Sequence, residues 1–128
     1  GGKFIAGVAL LGRGKQLPTL ELDAQRMPGI ARNVETAQAA GHPAVLHREM
    51  RPKIIDANRK AACEGFCGPG SPDEYPFAST VEGGAGAQVT AVPLAEQRIQ
   101  GGVMSQFYRQ HGIKQGDAFR VVVKKNKD

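Results

Sequence analysis

The sequence predicts one small α+β domain of 128 residues, in which a hairpin followed by a helix packs against a short antiparallel sheet and flanking helices. Two patterns predict this fold class. Short runs of alternating apolar residues, bounded by Gly and Pro, are typical of strands. Elsewhere, apolar residues recur every three or four positions, which is typical of amphipathic helices. A chain of this length supports a single modest core.

The first part of the chain is predicted to form a strand and a linker. Residues 1–26 make up this N-terminal region, with the strand at Phe4–Leu10, and residues 27–128 make up the main domain. The apolar start lacks the layout of a signal peptide with a cleavage site. We therefore expect a domain that belongs to a longer chain.

The first helix of the main domain is predicted from Pro28 onward. Proline suits the first turn of a helix, and Ile30, Val34 and Ala37 then recur at helical spacing. Gly41 is well placed to end this helix.

A short strand and a second helix are predicted next. The strand covers Ala44–His47, and the helix contains Ile54, Asn58 and Ala62. Glycine and proline residues around position 68 mark the loop after this helix.

The central part of the chain is predicted to form the hairpin. Tyr75–Thr80 is the first strand, Glu82–Gly86 the turn and Ala87–Val92 the second strand. Glycines in the turn either build it or bring backbone amides close to a phosphate.

The last helix is predicted over Glu96–Gln110, and a final strand runs from Phe119 to Val123. Gly101 and Gly102 lie inside the helix, where each costs about 1 kcal/mol relative to alanine. We expect a close approach of another backbone to explain them.

Charge is distributed unevenly along the chain. The net charge is +5, yet no Lys or Arg occurs between Ala61 and Gln97, where five carboxylates lie: Glu64, Asp73, Glu74, Glu82 and Glu96. A positively charged protein favours binding to a polyanion such as a nucleic acid, since Lys and Arg displace counterions from phosphates. A carboxylate cluster would repel that polyanion unless a divalent cation lay between them. This combination favours a metal-dependent nuclease, and the alternative is a solvated acidic loop.

Several segments resemble a known family. Asp73–Thr80, Glu82–Ala87 and Glu96–Gly102 are similar to the core motif of NucA/NucB-type deoxyribonucleases, and Asn58–Cys63 also resembles that family. The likeness runs over Met27–Val123 and is strongest to the forms at the C-termini of bacterial polymorphic toxins. It implies a ββα-metal core, in which the hairpin presents the base and the helix presents a metal ligand.

The two adjacent carboxylates are the predicted catalytic residues. No histidine neighbours the motif, so a carboxylate must act as the base. We place Asp73 on the metal and Glu74 as the base, and the reverse assignment stays open. Both are expected to be exposed, and an irregular start of the strand is expected to let both reach one site. Mg²⁺ or Mn²⁺ suits such an all-oxygen site.

The helix supplies further candidates. Gln97, or less favourably Glu96, is a predicted metal ligand, although family members usually carry Asn where this chain has Gln97. The alternative for Glu96 is an acidic residue that stabilises the start of the helix. Arg98 is predicted to hold the phosphate or neutralise the leaving group. A surface ion pair is its alternative.

Other basic residues are predicted to bind DNA. Arg59 and Lys60 lie on the second helix, and Lys124 and Lys125 lie near the C-terminus. The alternatives are a solvated helix face and a solubilising tail.

The resemblance implies DNA as substrate, a cognate immunity protein as partner, and secretion or delivery into a target bacterial cell within a larger effector. The enzyme would then act on DNA in the target cytoplasm. A non-catalytic nucleic-acid-binding module and a ribonuclease of related fold are the alternative functions. No apolar run is long enough to cross a bilayer.

The two cysteines allow three interpretations. Cys63 and Cys67 are close enough in sequence for a small disulfide loop, which is our first expectation. Two free thiols come next. A zinc site is least favoured, because two further ligands would be needed.

Overall fold

The computed structural model describes residues 16–64 and 69–125. Their helices and strands are, in chain order, β1 (Thr19–Asp23), α1 (Pro28–Ala39), β2 (Val45–His47), α2 (Pro52–Ala62), β3 (Ser71–Tyr75), β4 (Gln88–Val92), α3 (Leu94–Gln110) and β5 (Ala118–Lys124). This α+β arrangement confirms the predicted fold class. Among these residues, no helix combines the length and the apolar character needed to cross a bilayer.

The larger sheet has three strands in the order β1-β5-β2. β2 pairs with β5 in antiparallel fashion, whereas β1 pairs with it in parallel. The sheet is therefore mixed, and not the antiparallel sheet that the sequence predicts. β1 is absent from the prediction, although Leu20 and Leu22 alternate along it and are buried. The predicted strand Phe4–Leu10 lies outside the described residues.

α1 begins at Pro28, as predicted, and buries Ile30, Val34 and Ala37. This face contacts both strands of the hairpin and two strands of the three-stranded sheet. The helix ends at Ala39, two residues before the glycine that the sequence marks as its end. α1 is therefore the element that joins the two sheets.

The hairpin consists of β3 and β4, which pair in antiparallel register. The predicted strand Tyr75–Thr80 is wrong, because β3 ends at Tyr75. The reason is local: Pro76 has no N–H to donate to the ladder, so the strand stops before it. Residues 76–87 form an irregular loop instead. The second predicted strand is confirmed as Gln88–Val92.

α3 covers Leu94–Gln110 and starts two residues earlier than predicted. Phe107 is buried against Phe119 of β5, with ring centroids 5.6 Å apart. Ile99 and Val103 are half-buried and pack against the same core. The predicted apolar face of the helix is therefore confirmed.

The two glycines inside α3 do not have the role that the sequence suggests. A Cβ atom built at Gly101 or Gly102 would meet no described atom within 4 Å, the helix's own backbone aside. The expected close approach of another backbone is therefore wrong for the described residues. Packing of the chain gives no reason for either glycine.

α2 differs from the other helices because none of its side chains is buried. Its main polar attachment is Asn58, whose amide donates to the carbonyl oxygens of Ala78 and Thr80 at 3.0 and 3.2 Å. The helix therefore lies on the loop of residues 76–87.

Candidate active site

A cavity of about 370 Å³ lies beside the hairpin and α3. Six of the polar side chains that line it are Arg48, Arg59, Asp73, Glu74, Gln97 and Gln100. Four of these six are residues that the sequence predicts for the site. The structure thus brings two carboxylates, two amides and two guanidinium groups to one concave surface.

The two carboxylates reach the cavity from a regular strand. Asp73 and Glu74 pair with Thr90 and Val89 in the middle of the hairpin, so the expected irregular strand start is wrong. Their side chains point to opposite faces. Among the described residues β3 pairs with no strand other than β4. Residues 72–74 all line the cavity, which therefore lies beside this part of β3.

Asp73 is a buried residue, contrary to the prediction that it is exposed, with a relative exposure of 2%. Its Oδ2 accepts a hydrogen bond from Asn33 Nδ2 at 3.0 Å. Its Oδ1 accepts one from Gln100 Nε2 at 3.2 Å. Amides from α1 and α3 therefore fix both carboxylate oxygens.

Burial raises the pKa of Asp73 from its ordinary value of 3.8 to about 7. The hydrogen bonds from Asn33 and Gln100 act in the opposite direction, and the neighbouring charges of Glu74 and Glu96 add to the increase. Desolvation disfavours the ionised form and is the largest cause. A nearby cation would reverse this effect, because it favours the charged carboxylate.

Glu74 is half-buried on the other face of β3. Burial raises its pKa, while a hydrogen bond from Cys63 and the charge of Arg59 lower it. The Sγ atom of Cys63 lies 3.5 Å from Glu74 Oε2. Cys67, the predicted disulfide partner, lies outside the described residues. Glu74 therefore faces α2, whereas Asp73 faces α1 and α3.

Gln97 lies at the junction of α3 and β3. Its Nε2 donates a hydrogen bond to the carbonyl oxygen of Pro72, the residue before Asp73. No described residue donates to the amide oxygen of Gln97. This oxygen is the part of the side chain that suits a cation.

Glu96 lies elsewhere, although it neighbours Gln97 in sequence. Its Oε1 accepts hydrogen bonds from the backbone N–H groups of Gly29 and Ile30 at 2.9 and 3.1 Å. These are unpaired donors in the first turn of α1. A Cβ at Gly29 would lie 3.2 Å from Oε1, so glycine permits this close approach. Glu96 thus caps α1, and its geometry does not support the predicted role as a metal ligand.

Two predicted DNA-binding residues lie on α2. Arg59 lines the cavity, its side chain is 60% exposed, and its Nη1 lies 3.5 Å from Asp56 Oδ1. Lys60 is exposed and does not line the cavity. Of this pair, only Arg59 borders the carboxylates.

The other predicted basic residues lie away from the cavity. Arg98 and Lys124 are exposed and do not line it. Lys125 Nζ forms an ion pair with Glu35 Oε2 of α1 at 2.8 Å. The geometry therefore gives no support to the predicted phosphate-binding role of Arg98.

Three residues that contribute to the cavity or support it are missing from the prediction. Gln100 lies three positions after Gln97 on the same helix face, a spacing that could have revealed it. Asn33 and Arg48 have no such local signal. They meet Asp73 and the cavity only through tertiary packing.

The donor set fits a small divalent cation. Within residues 16–64 and 69–125, no group of three His, Cys, Asp or Glu side chains is close enough to hold a metal. Mg²⁺ does not need such a group, because one or two carboxylates with waters and substrate phosphates suffice. The desolvated carboxylate of Asp73 and the amide oxygen of Gln97 are both hard oxygen donors. These residues therefore fit Mg²⁺ or Mn²⁺.

The cap at α1 gives a first prediction. Replacing Glu96 with Ala should lower the free energy of unfolding by about 1–2 kcal/mol, because buried N–H groups lose their acceptor. Glu96→Gln keeps an oxygen acceptor and should lose less. Urea denaturation measures both, with the exposed Glu64→Ala as control. If Glu96→Ala left the stability unchanged but raised the metal concentration needed for activity, Glu96 would be a metal ligand and not a cap.

The chain matches a known protein family. The family model described as Deoxyribonuclease NucA/NucB matches residues 34–122, which include Arg48, Asp73, Glu74 and Gln97. No curated protein matches the chain. The family match covers more than half of the sequence and contains the whole hairpin and α3. The chain therefore belongs to the deoxyribonuclease NucA/NucB family.

Proposed function

We propose that this chain is an endodeoxyribonuclease that depends on a divalent metal and cleaves DNA with little sequence preference. The observation that carries the proposal is the meeting of Asp73 and Glu74 with Arg48 and Arg59 in one cavity. One carboxylate can bind the cation and the other can activate the attacking water, while guanidinium groups can bind the phosphate. Contacts to phosphate carry no sequence information, which supports cleavage at many sequences.

The proposed cation ligands are Asp73 and Gln97. Both residues lie where β3 meets α3. Asn33 and Gln100 donate hydrogen bonds to the Asp73 carboxylate and so orient it, as residues behind a metal ligand commonly do. When bound, Mg²⁺ or Mn²⁺ polarises the phosphate and acidifies water. Glu96, the alternative ligand, instead accepts hydrogen bonds from the first turn of α1.

Glu74 is the proposed base. Glu74 is more accessible than Asp73. Its pKa is raised towards neutral pH, and a general base works best when its pKa is close to the pH of the reaction. A pKa of about 7 would also suit Asp73 as the base. The reverse assignment is therefore tested below.

Basic residues outside the catalytic pair would attract DNA. The net charge of +5 favours a polyanion, and Arg59 and Lys60 lie on a helix that borders the cavity. Arg98, Lys124 and Lys125 would add only attraction that does not depend on sequence.

We also propose that the domain acts as an antibacterial effector, secreted or delivered into a target cell as part of a larger protein. A nuclease that cuts any DNA endangers its producer, so a cognate immunity protein with an acidic surface is the proposed partner. Charge complementarity with the basic domain would speed its association.

The proposed activity is tested by digestion of plasmid DNA with Mg²⁺ or Mn²⁺, with and without EDTA, beside a parallel digestion of RNA. We expect cleavage of DNA that EDTA abolishes. Binding without cleavage would favour the non-catalytic module, and cleavage restricted to RNA would favour the ribonuclease.

Metal titration of variants separates the proposed roles. Asp73→Asn and Gln97→Ala should raise the metal concentration needed for half-maximal activity, because the first removes the negative charge of a ligand and the second removes a ligand. Glu74→Gln should lower kcat by about 100-fold or more at every metal concentration, because it removes the base. Gln97→Asn should keep part of the metal affinity. An unchanged metal requirement in Asp73→Asn, with a raised one in Glu74→Gln, would exchange the two roles.

Growth of a producing cell tests the effector role. Production of this domain in a bacterial cytosol without an inhibitor should stop growth and degrade the chromosome, whereas the Glu74→Gln variant should be tolerated. Normal growth with intact DNA, from an enzyme that is active in vitro, would indicate a harmless secreted nuclease.

A further inference from the structure

Arg48 is half-buried, and one atom of its guanidinium, Nε, is buried without a hydrogen-bond partner among the described residues. No other buried side-chain nitrogen or oxygen atom of these residues lacks a partner. A buried donor that stays unpaired costs about 1–3 kcal/mol. Such a group calls for an explanation, and a ligand acceptor is one.

The rest of the Arg48 side chain is firmly held. Nη1 donates to the carbonyl oxygen of Ile113 at 2.6 Å. The guanidinium carbon lies 4.1 Å from the centroid of the Tyr108 ring, a cation–π contact. The Tyr108 hydroxyl is in turn 3.0 Å from Ser79 Oγ. The guanidinium is therefore preorganised and does not need to be ordered when a ligand binds.

Arg48 shares the cavity with two carboxylates but pairs with neither. No ion pair within 4.0 Å joins it to Asp73 or Glu74 in the described part of the chain. Arg59, the other guanidinium of the cavity, is largely exposed and lies beside Asp56. Arg48 is thus the less exposed guanidinium of the site, and it lines the same cavity of about 370 Å³ as the two carboxylates.

We propose that Arg48 is a catalytic residue that binds the phosphate at which the strand is cut. The inference rests on the proposed nuclease function and names a residue that the sequence does not reveal. A planar fork of donors matches two phosphate oxygens. Because it is fixed in advance, it stabilises the charge that develops during cleavage.

Substitution at this position gives a sharp test. Arg48→Ala should lower kcat by about 100- to 1000-fold, the loss seen for a preorganised charge-stabilising donor. Arg48→Lys keeps the charge but loses the fork, and should remain well below wild type. Guanidinium ions, at concentrations too low to unfold the protein, should restore part of the activity of Arg48→Ala. A purely structural role would show no such rescue.

Binding measurements give an independent readout. In the Glu74→Gln background with EDTA, a labelled duplex should bind with a salt slope that is smaller by about 1 when Arg48 is also replaced, since one phosphate contact is lost. Arg120→Ala, which removes an equal charge from an exposed position on β5, is the control for kcat. If Arg48→Ala fails to fold, as judged by melting, Arg48→Lys carries the test.

Three results decide the proposal. A wild-type enzyme without DNase activity would overturn the nuclease function itself. An active wild type with undiminished Arg48 variants would overturn only the role of Arg48. A larger loss of kcat in Arg98→Ala than in Arg48→Ala would show that Arg98, and not Arg48, binds the phosphate.

A second observation concerns Gly101. It lines the cavity, whereas Gly102 does not, and neither glycine is needed for packing. A methyl group at Gly101 would project into open space, with no described atom within 4 Å of it apart from the adjoining backbone. We propose that Gly101 leaves the helix backbone bare so that the DNA strand can pass close to α3, which again rests on the proposed function.

The adjacent glycines form a matched pair of sites for alanine. Both Gly101→Ala and Gly102→Ala should raise the melting temperature by about 3–5 °C, because alanine favours the helix. Only Gly101→Ala should lower kcat/KM, by about tenfold or more, since the strand is displaced from its productive position. Equal activities of the two variants, in an enzyme that cleaves DNA, would overturn this role of Gly101.

Discussion

The carboxylate of Asp73 is buried where the hairpin meets α1 and α3, and much of the site depends on how this charge is accommodated. A buried carboxylate requires hydrogen bonds on its oxygens. Asn33 donates to Oδ2 and also to the backbone oxygens of Asp73 and Gln88, so one amide joins α1 to both strands of the hairpin. Gln100 supplies the bond from α3. The proposed catalytic group therefore also fixes the position of the hairpin.

Burial of the Asp73 carboxyl lowers the stability of the fold at neutral pH. The folded pKa of Asp73 lies above its ordinary value, so the folded protein holds a proton that the unfolded chain releases. By linkage, this group lowers stability as the pH rises from about 4 towards 7. A cation that binds only the folded state acts in the opposite direction. Binding of the cation would thus offset the loss of stability that burial of Asp73 causes.

The sequence predicted the elements whose signals are local. Periodic apolar residues gave α1 and α3, and the adjacent carboxylates gave the centre of the site. Features that depend on distant partners were missed: β1 pairs with β5 from the other end of the domain, and Glu96 caps a helix 67 residues earlier in the chain. The predicted first hairpin strand lies too late in the chain, because Tyr75 and Phe77 are typical of strands whereas Pro76 between them ends the ladder. Arg48 stands out only when burial is known.

The glycine-rich turn shows why composition alone misleads. In sequence, Gly83 and Gly84 suggest either a turn or a phosphate-binding loop. A Cβ at Gly83 would lie 2.3 Å from the carbonyl oxygen of Phe77, and one at Gly84 would lie 2.9 Å from Asn58 Oδ1. Both glycines are therefore needed for packing, the second of them directly against α2.

This packing reaches the site through α2. The helix has no buried side chain, so its position depends on contacts such as that of Asn58 with the loop. Arg59 on this helix lines the cavity. Cys63, the residue after the helix, donates a hydrogen bond to Glu74. A larger residue at Gly84 would press on the Asn58 amide, which attaches α2 to the loop, and α2 borders Glu74. The glycines of the turn therefore act on the chemistry indirectly, because they determine where a weakly packed helix lies.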